Sequence, residues 1–78
     1  MRQEEKTAAA RALLDNPLFH ILMDEIEANA VNACVTAAPT DHDARAAGAA
    51  EVRAIRTLRR KLNHLTAEAN AGANTAPA

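Results

Sequence analysis

Thr36-Ala37-Ala38-Pro39-Thr40-Asp41-His42-Asp43 decides the fold, because it separates two long helical patterns by only a few residues. Pro39 pushes Ala38 out of the α region, so the helix before it is predicted to end near Ala37-Ala38. Thr40 then opens a new helix signature, with Asp43 three residues on in a variant of the capping box that usually carries Glu or Gln there. Asp41 and Asp43 fall in the first turn, where the helix dipole favours negative charge. A connection of this length, roughly Ala37 to Thr40, joins antiparallel neighbours, so the two stretches read as a helical hairpin.

Upstream, from Pro17 to about Thr36, Phe19, Leu22, Ile26, Ala30 and Ala33 recur at helical spacing, and Leu18, Ile21 and Met23 broaden the stripe. Downstream, Val52, Ile55, Leu58, Leu62, Leu65 and Ala69 keep spacings of three or four residues, which predicts a coiled-coil-like seam. Gly48 lies on that face, and with Ala44 and Ala47 it permits close backbone approach. Before the hairpin, residues 3–14 form a further helical stretch ended by Asp15-Asn16-Pro17. Asn16 suits an N-cap and Pro17 the first helical position, so either a new helix starts there or one long helix kinks at the proline. Asn70-Ala71-Gly72 reads as a C-terminal stop. The expectation is one all-α domain over residues 1–70, with helices at about 3–14, 17–36 and 41–69, followed by a disordered tail at 71–78. It is an antiparallel helical hairpin with an N-terminal helical arm kinked or broken at Asn16-Pro17.

Composition agrees with helix and limits the core. Of 78 residues, 21 are alanine, and only 17 larger apolar residues remain once these are set aside. Two glycines, one aromatic and no Trp or Tyr argue against a β-sandwich or barrel. A single core in a chain of this size supplies only about 3–5 kcal/mol without reinforcement. The lone Cys34 offers no intramolecular disulfide. Two helices also leave one side of each apolar stripe uncovered, notably at Ile21, Met23, Val31, Val35 and parts of the Leu58–Leu65 seam, which points to an oligomeric helical bundle or to docking on a larger protein. No apolar run is long enough to cross a bilayer, and Met1-Arg2-Gln3-Glu4-Glu5 does not read as the start of a secretory signal, so a soluble intracellular protein is expected.

Charge is segregated. Residues 15–27 carry Asp15, Asp24, Glu25 and Glu27 with no Lys or Arg, whereas residues 51–61 carry Arg53, Arg56, Arg59, Arg60 and Lys61 against Glu51 alone. An antiparallel hairpin turning near Pro39 sets residues near 55 opposite residues near 23, so the acidic half faces the basic half. Each exposed pair contributes about 0–1 kcal/mol, so the pattern sets register more than stability. The same basic segment is the candidate for nucleic-acid contact, through Arg53, Arg56, Arg59, Arg60 and Lys61 with His64 nearby, although the chain as a whole is slightly acidic at a net charge of -1 and no aromatic residue interleaves the segment for stacking.

Other chemistry is thinly represented. His20 and Asp24 share a helical face and Asp41-His42-Asp43 forms a second cluster, but neither has the spacing of a recognised metal site. Cys34 has no base spaced to activate it and reads as a small buried thiol. Asp24, Glu25 and Glu27 point in different directions on a helix, and two helices enclose no substrate pocket. No enzyme, cofactor or metal is expected. The hairpin seam is assigned to Leu22, Ile26, Ile55, Leu58, Leu62 and Leu65, with Phe19 as a buried anchor.

The run Arg11-Ala12-Leu13-Leu14-Asp15-Asn16-Pro17-Leu18-Phe19, then Glu25-Ile26-Glu27, then the Thr40-Asp41 turn, then Glu51-Val52-Arg53-Ala54-Ile55-Arg56-Thr57-Leu58-Arg59-Arg60-Lys61-Leu62, resembles the small helical-hairpin proteins of tailed bacteriophages and prophages that are encoded among virion-assembly genes. The resemblance spans residues 9–68. It departs from the family where many members carry Trp, since Ala33-Cys34 and Ala49-Ala50 stand in those neighbourhoods. It implies a structural or accessory protein of particle assembly, located in the host cytoplasm during assembly or in the virion. Such a protein acts by self-association or by docking onto a larger phage structural protein, with no membrane partner; a small nucleic-acid-binding accessory protein is the alternative.

Overall fold

A computed structural model describes the backbone of residues 1–74 and the side-chain environments of residues 1–67. Among the described residues the chain is all helical: α1 (Gln3–Leu14), α2 (Pro17–Thr36) and α3 (His42–Asn74), with no strand. α3 returns antiparallel to α2 and runs on so that α1 also packs against it, giving a rod with extents of 60 × 23 × 22 Å.

Polar groups fix each end. Glu4 and Glu5 sit in the first turn of α1 and Arg11 in its last, the arrangement that complements the helix dipole. At its C-terminus the Asp15 and Asn16 N–H groups bond to the Arg11 and Leu13 carbonyls at 2.9 and 3.1 Å. The Leu14 carbonyl, left over at this end, accepts from His20 Nε2 at 2.6 Å, and the His20 ring stands edge-on to Phe19 at 5.4 Å. α2 starts with Pro17 in its first position, and Asn16 Oδ1 accepts from Leu18 N–H at 3.0 Å. At the other end of α2, Ala37 turns extended with ψ 143° ahead of Pro39.

The turn differs from the expectation by one residue. Asp41, not Thr40, caps α3: its Oδ1 accepts from Ala44 N–H at 3.1 Å. Asp43 thereby falls on the second helical position, and the position that a capping box needs is held by Ala44, which has no side-chain acceptor. Arg45 closes the loop, donating from Nη1 to the Ala38 carbonyl at 2.8 Å and from Nη2 to His42 Nδ1, while Asp41 N–H bonds to the same Ala38 carbonyl at 2.8 Å. The expected stop near Asn70-Ala71-Gly72 is also displaced: α3 continues to Asn74. Among the described residues no glycine takes a positive φ, so the left-handed residue that ends many helices is missing there, and the surrounding alanines offset the ~1 kcal/mol helix penalty of glycine. Of the tail expected at 71–78, residues 75–78 lie outside the described residues.

The packing faces follow a strict alternation of three and four residues, the signature of helices in side-by-side contact. His20, Met23, Glu27, Ala30 and Cys34 of α2, with Ala37 just beyond its end, meet Arg45, Gly48, Val52, Ile55, Arg59, Leu62 and Thr66 of α3, and all of these are buried or half-buried. Thr7, Ala10 and Leu14 continue the stripe in α1. The α2 face is therefore rotated from the one that large side chains mark in the sequence. Leu22 and Ile26 are each 47% exposed and Ala33 is exposed, leaving Ala30 buried and Phe19 half-buried from the expected stripe. On α3, Val52, Ile55 and Leu62 are buried and Leu65 half-buried as placed on the seam, but Leu58 is 43% exposed and Arg59 occupies the seam instead. The side chain of Ala69 lies outside the described residues.

Gly48 supplies the physical reason. A Cβ built on it would stand 2.9 Å from the Ala30 carbonyl oxygen and 3.2 Å from the Cys34 amide nitrogen. The α2 backbone rests directly on this glycine, so the small residues Ala30 and Cys34 must face it, and that contact turns Leu22 and Ile26 outward. Gly48→Ala removes a helix-propensity penalty of ~1 kcal/mol, yet it overpacks against backbone that has no rotamer to change. The expected net result is a loss of ~1–3 kcal/mol and a lower midpoint in thermal or urea unfolding. A higher midpoint would refute the close crossing.

Candidate interaction surfaces

The two flanks of the α2–α3 seam differ in chemistry. One is ionic. Arg59 Nη2 donates to Asp24 Oδ1 at 2.6 Å, and Arg56 Nε donates to Glu27 Oε1 at 3.4 Å. The acidic segment of α2 thus lies along the basic segment of α3. Arg59 is the more committed of the two cations: its side chain is 30% exposed, its stem lines the seam between Ile55 and Leu62, and its Nε is buried without a hydrogen-bond partner. The same flank has a groove where Val31, Val35 and Cys34 of α2 meet Ala49, Val52, Arg53 and Arg56 of α3.

The other flank carries Leu22, Ile26 and Leu58, with exposed Glu51 on the same face of α3 as Leu58. At ~100° per residue, Ile26 points about 140° away from Val31 on α2, and Leu58 about 160° away from Arg56 on α3. Leu22, Ile26 and Leu58 therefore share the side of the hairpin opposite the ion pairs, beside half-buried Phe19. Asp24 meeting Arg59 and Glu27 meeting Arg56 fixes the heights along the rod, so Leu58 stands between Leu22 and Ile26. Leu18 and Ile21, 58% and 53% exposed, extend apolar surface around the back of α2. A helix apolar nearly all round is normally buried on more than one side.

Of the basic residues singled out in the sequence, Arg56 and Arg59 are held in ion pairs, while Arg53, Arg60 and Lys61 are exposed. The fold adds one cation that the sequence pattern did not reveal. Lys6 of α1 joins Arg60, Lys61 and His64 around Leu65 in a groove at the α1–α3 end of the rod. No local spacing pointed to Lys6, which lies more than fifty residues away and arrives there only because α1 packs on α3.

The remaining candidates have structural duties. His20 bonds the Leu14 carbonyl and Asp24 pairs with Arg59, so these two do not converge on a common point. Asp41 caps α3 and His42 contacts Arg45. Among the described residues, no three His, Cys, Asp or Glu side chains group around a possible metal position. Cys34 is half-buried in the seam, its thiol donating to the Arg45 carbonyl at 3.5 Å. No helix is long and apolar enough to cross a membrane among the described residues.

The placement of Arg59 separates its packing from its charge. Arg59→Met keeps an apolar stem in the seam and removes the orphaned Nε, whereas Arg59→Ala removes the stem as well. In urea unfolding, Arg59→Ala is expected to cost at least ~1 kcal/mol more than Arg59→Met. A double-mutant cycle with Asp24→Ala should return a coupling under ~1 kcal/mol, because Asp24 is largely exposed. Equal destabilisation by Met and Ala would show that the stem does not pack.

The chain matches no protein-family model, no curated protein and no solved structure.

Proposed function

We propose that this chain is a non-enzymatic structural or accessory protein that acts through helix-mediated protein–protein contact and self-association, in the setting of phage-like particle assembly. The single observation that carries the reading is the exposed aliphatic group of Leu22, Ile26 and Leu58 on a hairpin whose buried apolar core, among the described residues, is Ala10, Met23, Ala30, Val52, Ile55 and Leu62. Such a surface on a thin core is what an association module presents. The setting of particle assembly rests on the resemblance of residues 9–68 to tailed-phage hairpin proteins. The non-enzymatic reading is supported by the engagement of His20, Asp24, Glu27 and Asp41 in caps and ion pairs.

Sedimentation or light scattering at tens of micromolar should give a mass at least twice that of the 8.3 kDa chain. A well-folded, strictly monomeric chain at that concentration would overturn the self-association reading.

The nucleic-acid reading keeps one specific observation in its favour, the gathering of Lys6, Arg60, Lys61 and His64 in one groove. In that case duplex DNA binding falls steeply between low and moderate salt, and Lys6→Gln with Lys61→Gln reduces the slope of the salt dependence by about one for each lost phosphate contact. No binding at low salt removes this alternative.

A further inference from the structure

The groove at the α1–α3 end of the rod has a composition that selects the kind of partner it fits. Lys6 of α1 and Arg60, Lys61, His64 and Leu65 of α3 line it, and its volume of about 500 Å³ has room for a few side chains. Lys6, Arg60 and Lys61 are exposed, and none of the three enters an ion pair among the described residues; Arg60 reaches only the Thr57 hydroxyl, at 3.4 Å. Arg56 and Arg59, by contrast, are already committed to Glu27 and Asp24. Leu65 is half-buried and gives the groove an apolar floor, which the methylene stems of Lys6, Arg60 and Lys61 extend. A cationic rim thus surrounds an aliphatic base.

Helix geometry keeps the nearest carboxylates of α1 out of this groove. With Thr7, Ala10 and Leu14 packed inward, ~100° per residue puts Lys6 about 70° to one side of that face, Glu4 about 90° to the other and Glu5 nearly opposite it. On α3 the one acidic residue within a turn of His64 is Glu68, whose side chain lies outside the described residues, and a single carboxylate counted against Lys6, Arg60 and Lys61 still leaves the groove cationic. Two kinds of anionic macromolecule meet such a rim, and the observations favour one of them. A nucleic-acid duplex spreads its charge along its whole length and has no aliphatic side chain to lay on Leu65. Beyond the groove it runs along a chain of net charge -1, and in physiological salt the attraction of the rim is screened within about 8 Å. No aromatic residue lines the groove, among the described residues, to stack on the bases of a single strand. A short acidic peptide matches both parts, with carboxylates for the rim and an aliphatic side chain for the floor.

We infer that this groove docks a short acidic segment of a partner protein, in which an aliphatic side chain lies on Leu65 and the flanking carboxylates meet Lys6, Arg60 and Lys61. This partner chemistry rests on the protein-contact reading above, yet the groove shares no residue with the Leu22, Ile26 and Leu58 group, so it is tested independently of self-association. A fluorescent peptide of Glu interrupted by Leu is titrated against the full chain at moderate salt, beside the same peptide with Ser in place of Leu and a duplex DNA. The Leu peptide is expected to bind about tenfold more tightly than the Ser peptide. Lys6→Gln with Lys61→Gln, both at exposed positions, should weaken its binding by about tenfold with helix content and urea midpoint unchanged. Arg53→Gln, which removes a cation outside the groove, should change it by less than about twofold. Equal binding of the Leu and Ser peptides overturns the inference, as does binding of neither. Unchanged affinity in the lysine variant places the peptide elsewhere and overturns it too, and DNA binding more tightly than the Leu peptide assigns the groove to the nucleic-acid alternative. A monomeric chain that binds the Leu peptide through Lys6 and Lys61 removes self-association alone and upholds the groove.

Discussion

The contact of Gly48 with the α2 backbone at Ala30 and Cys34 is the constraint from which the rest of the structure follows. A helix has one rotational freedom about its axis, and at ~100° per residue a single close crossing removes it. Once Ala30 and Cys34 face Gly48, Met23, Glu27 and His20 must follow on α2, and Val52, Ile55, Arg59 and Leu62 on α3. Leu22, Ile26 and Leu58 are turned out by the same rotation. Large aliphatic side chains at the crossing would have pushed the backbones apart and buried more area per residue, but close approach lets many small contacts accumulate along the seam instead.

A seam of this kind buries little, so the ends of the helices carry a larger share of the specification. The His20 ring reaches back across Asn16-Pro17 to the last carbonyl of α1, Asn16 caps α2, and Arg45 ties the loop carbonyl of Ala38 to the first turn of α3. Each cap contributes on the order of 1 kcal/mol, comparable to the burial of one additional methyl-bearing group. Met23, Val52, Ile55 and Leu62 are the large members of the core, and none of them is completely buried. Direction and register are accordingly set by polar groups at defined positions: the caps, the loop guanidinium, and the two ion pairs that hold acidic α2 alongside basic α3.

Features that depend on local chemistry were legible in the sequence. The Asn16-Pro17 and Ala38-Pro39 pairs punctuate the chain where helices end and begin, Gly48 reads as a site of close approach, and the segregated charges set Asp24 and Glu27 against Arg59 and Arg56. Features that depend on a competition between equivalent faces were not. α2 is apolar around most of its circumference, so Phe19, Leu22 and Ile26 form as good a stripe on paper as Met23, Ala30 and Cys34. Counting large side chains favours the first, whereas the steric demand of Gly48 on another helix favours the second. Arg59 was read as a surface charge because its head is charged, though its stem has the length to line a seam. Thr40 and Asp41 are both good caps, and which one serves depends on where the loop delivers the chain. Lys6 enters the basic groove only through tertiary packing of α1.

The alanine content decides which side chains the seam leaves outside. In a hairpin with a large-residue core, the apolar side chains are consumed internally and the small ones lie outside. Here the order is reversed: Ala10, Ala30 and Gly48 are among the most enclosed residues, and Leu18, Ile21, Leu22, Ile26 and Leu58 lie outside them. Small residues gain little from burial, but they permit contact that large ones would prevent. Large residues excluded from that contact stay about half exposed and so retain roughly half of the ~1.5–3 kcal/mol that full burial of each contributes. The division of labour is asymmetric around the rod, because the ion pairs occupy one flank and leave the aliphatic group intact on the other. Leu22, Ile26 and Leu58 thus stay half-exposed on one flank, while Val31 and Val35 stay exposed beside the ion pairs on the other, because neither group can approach Gly48 once Ala30 and Cys34 occupy the crossing.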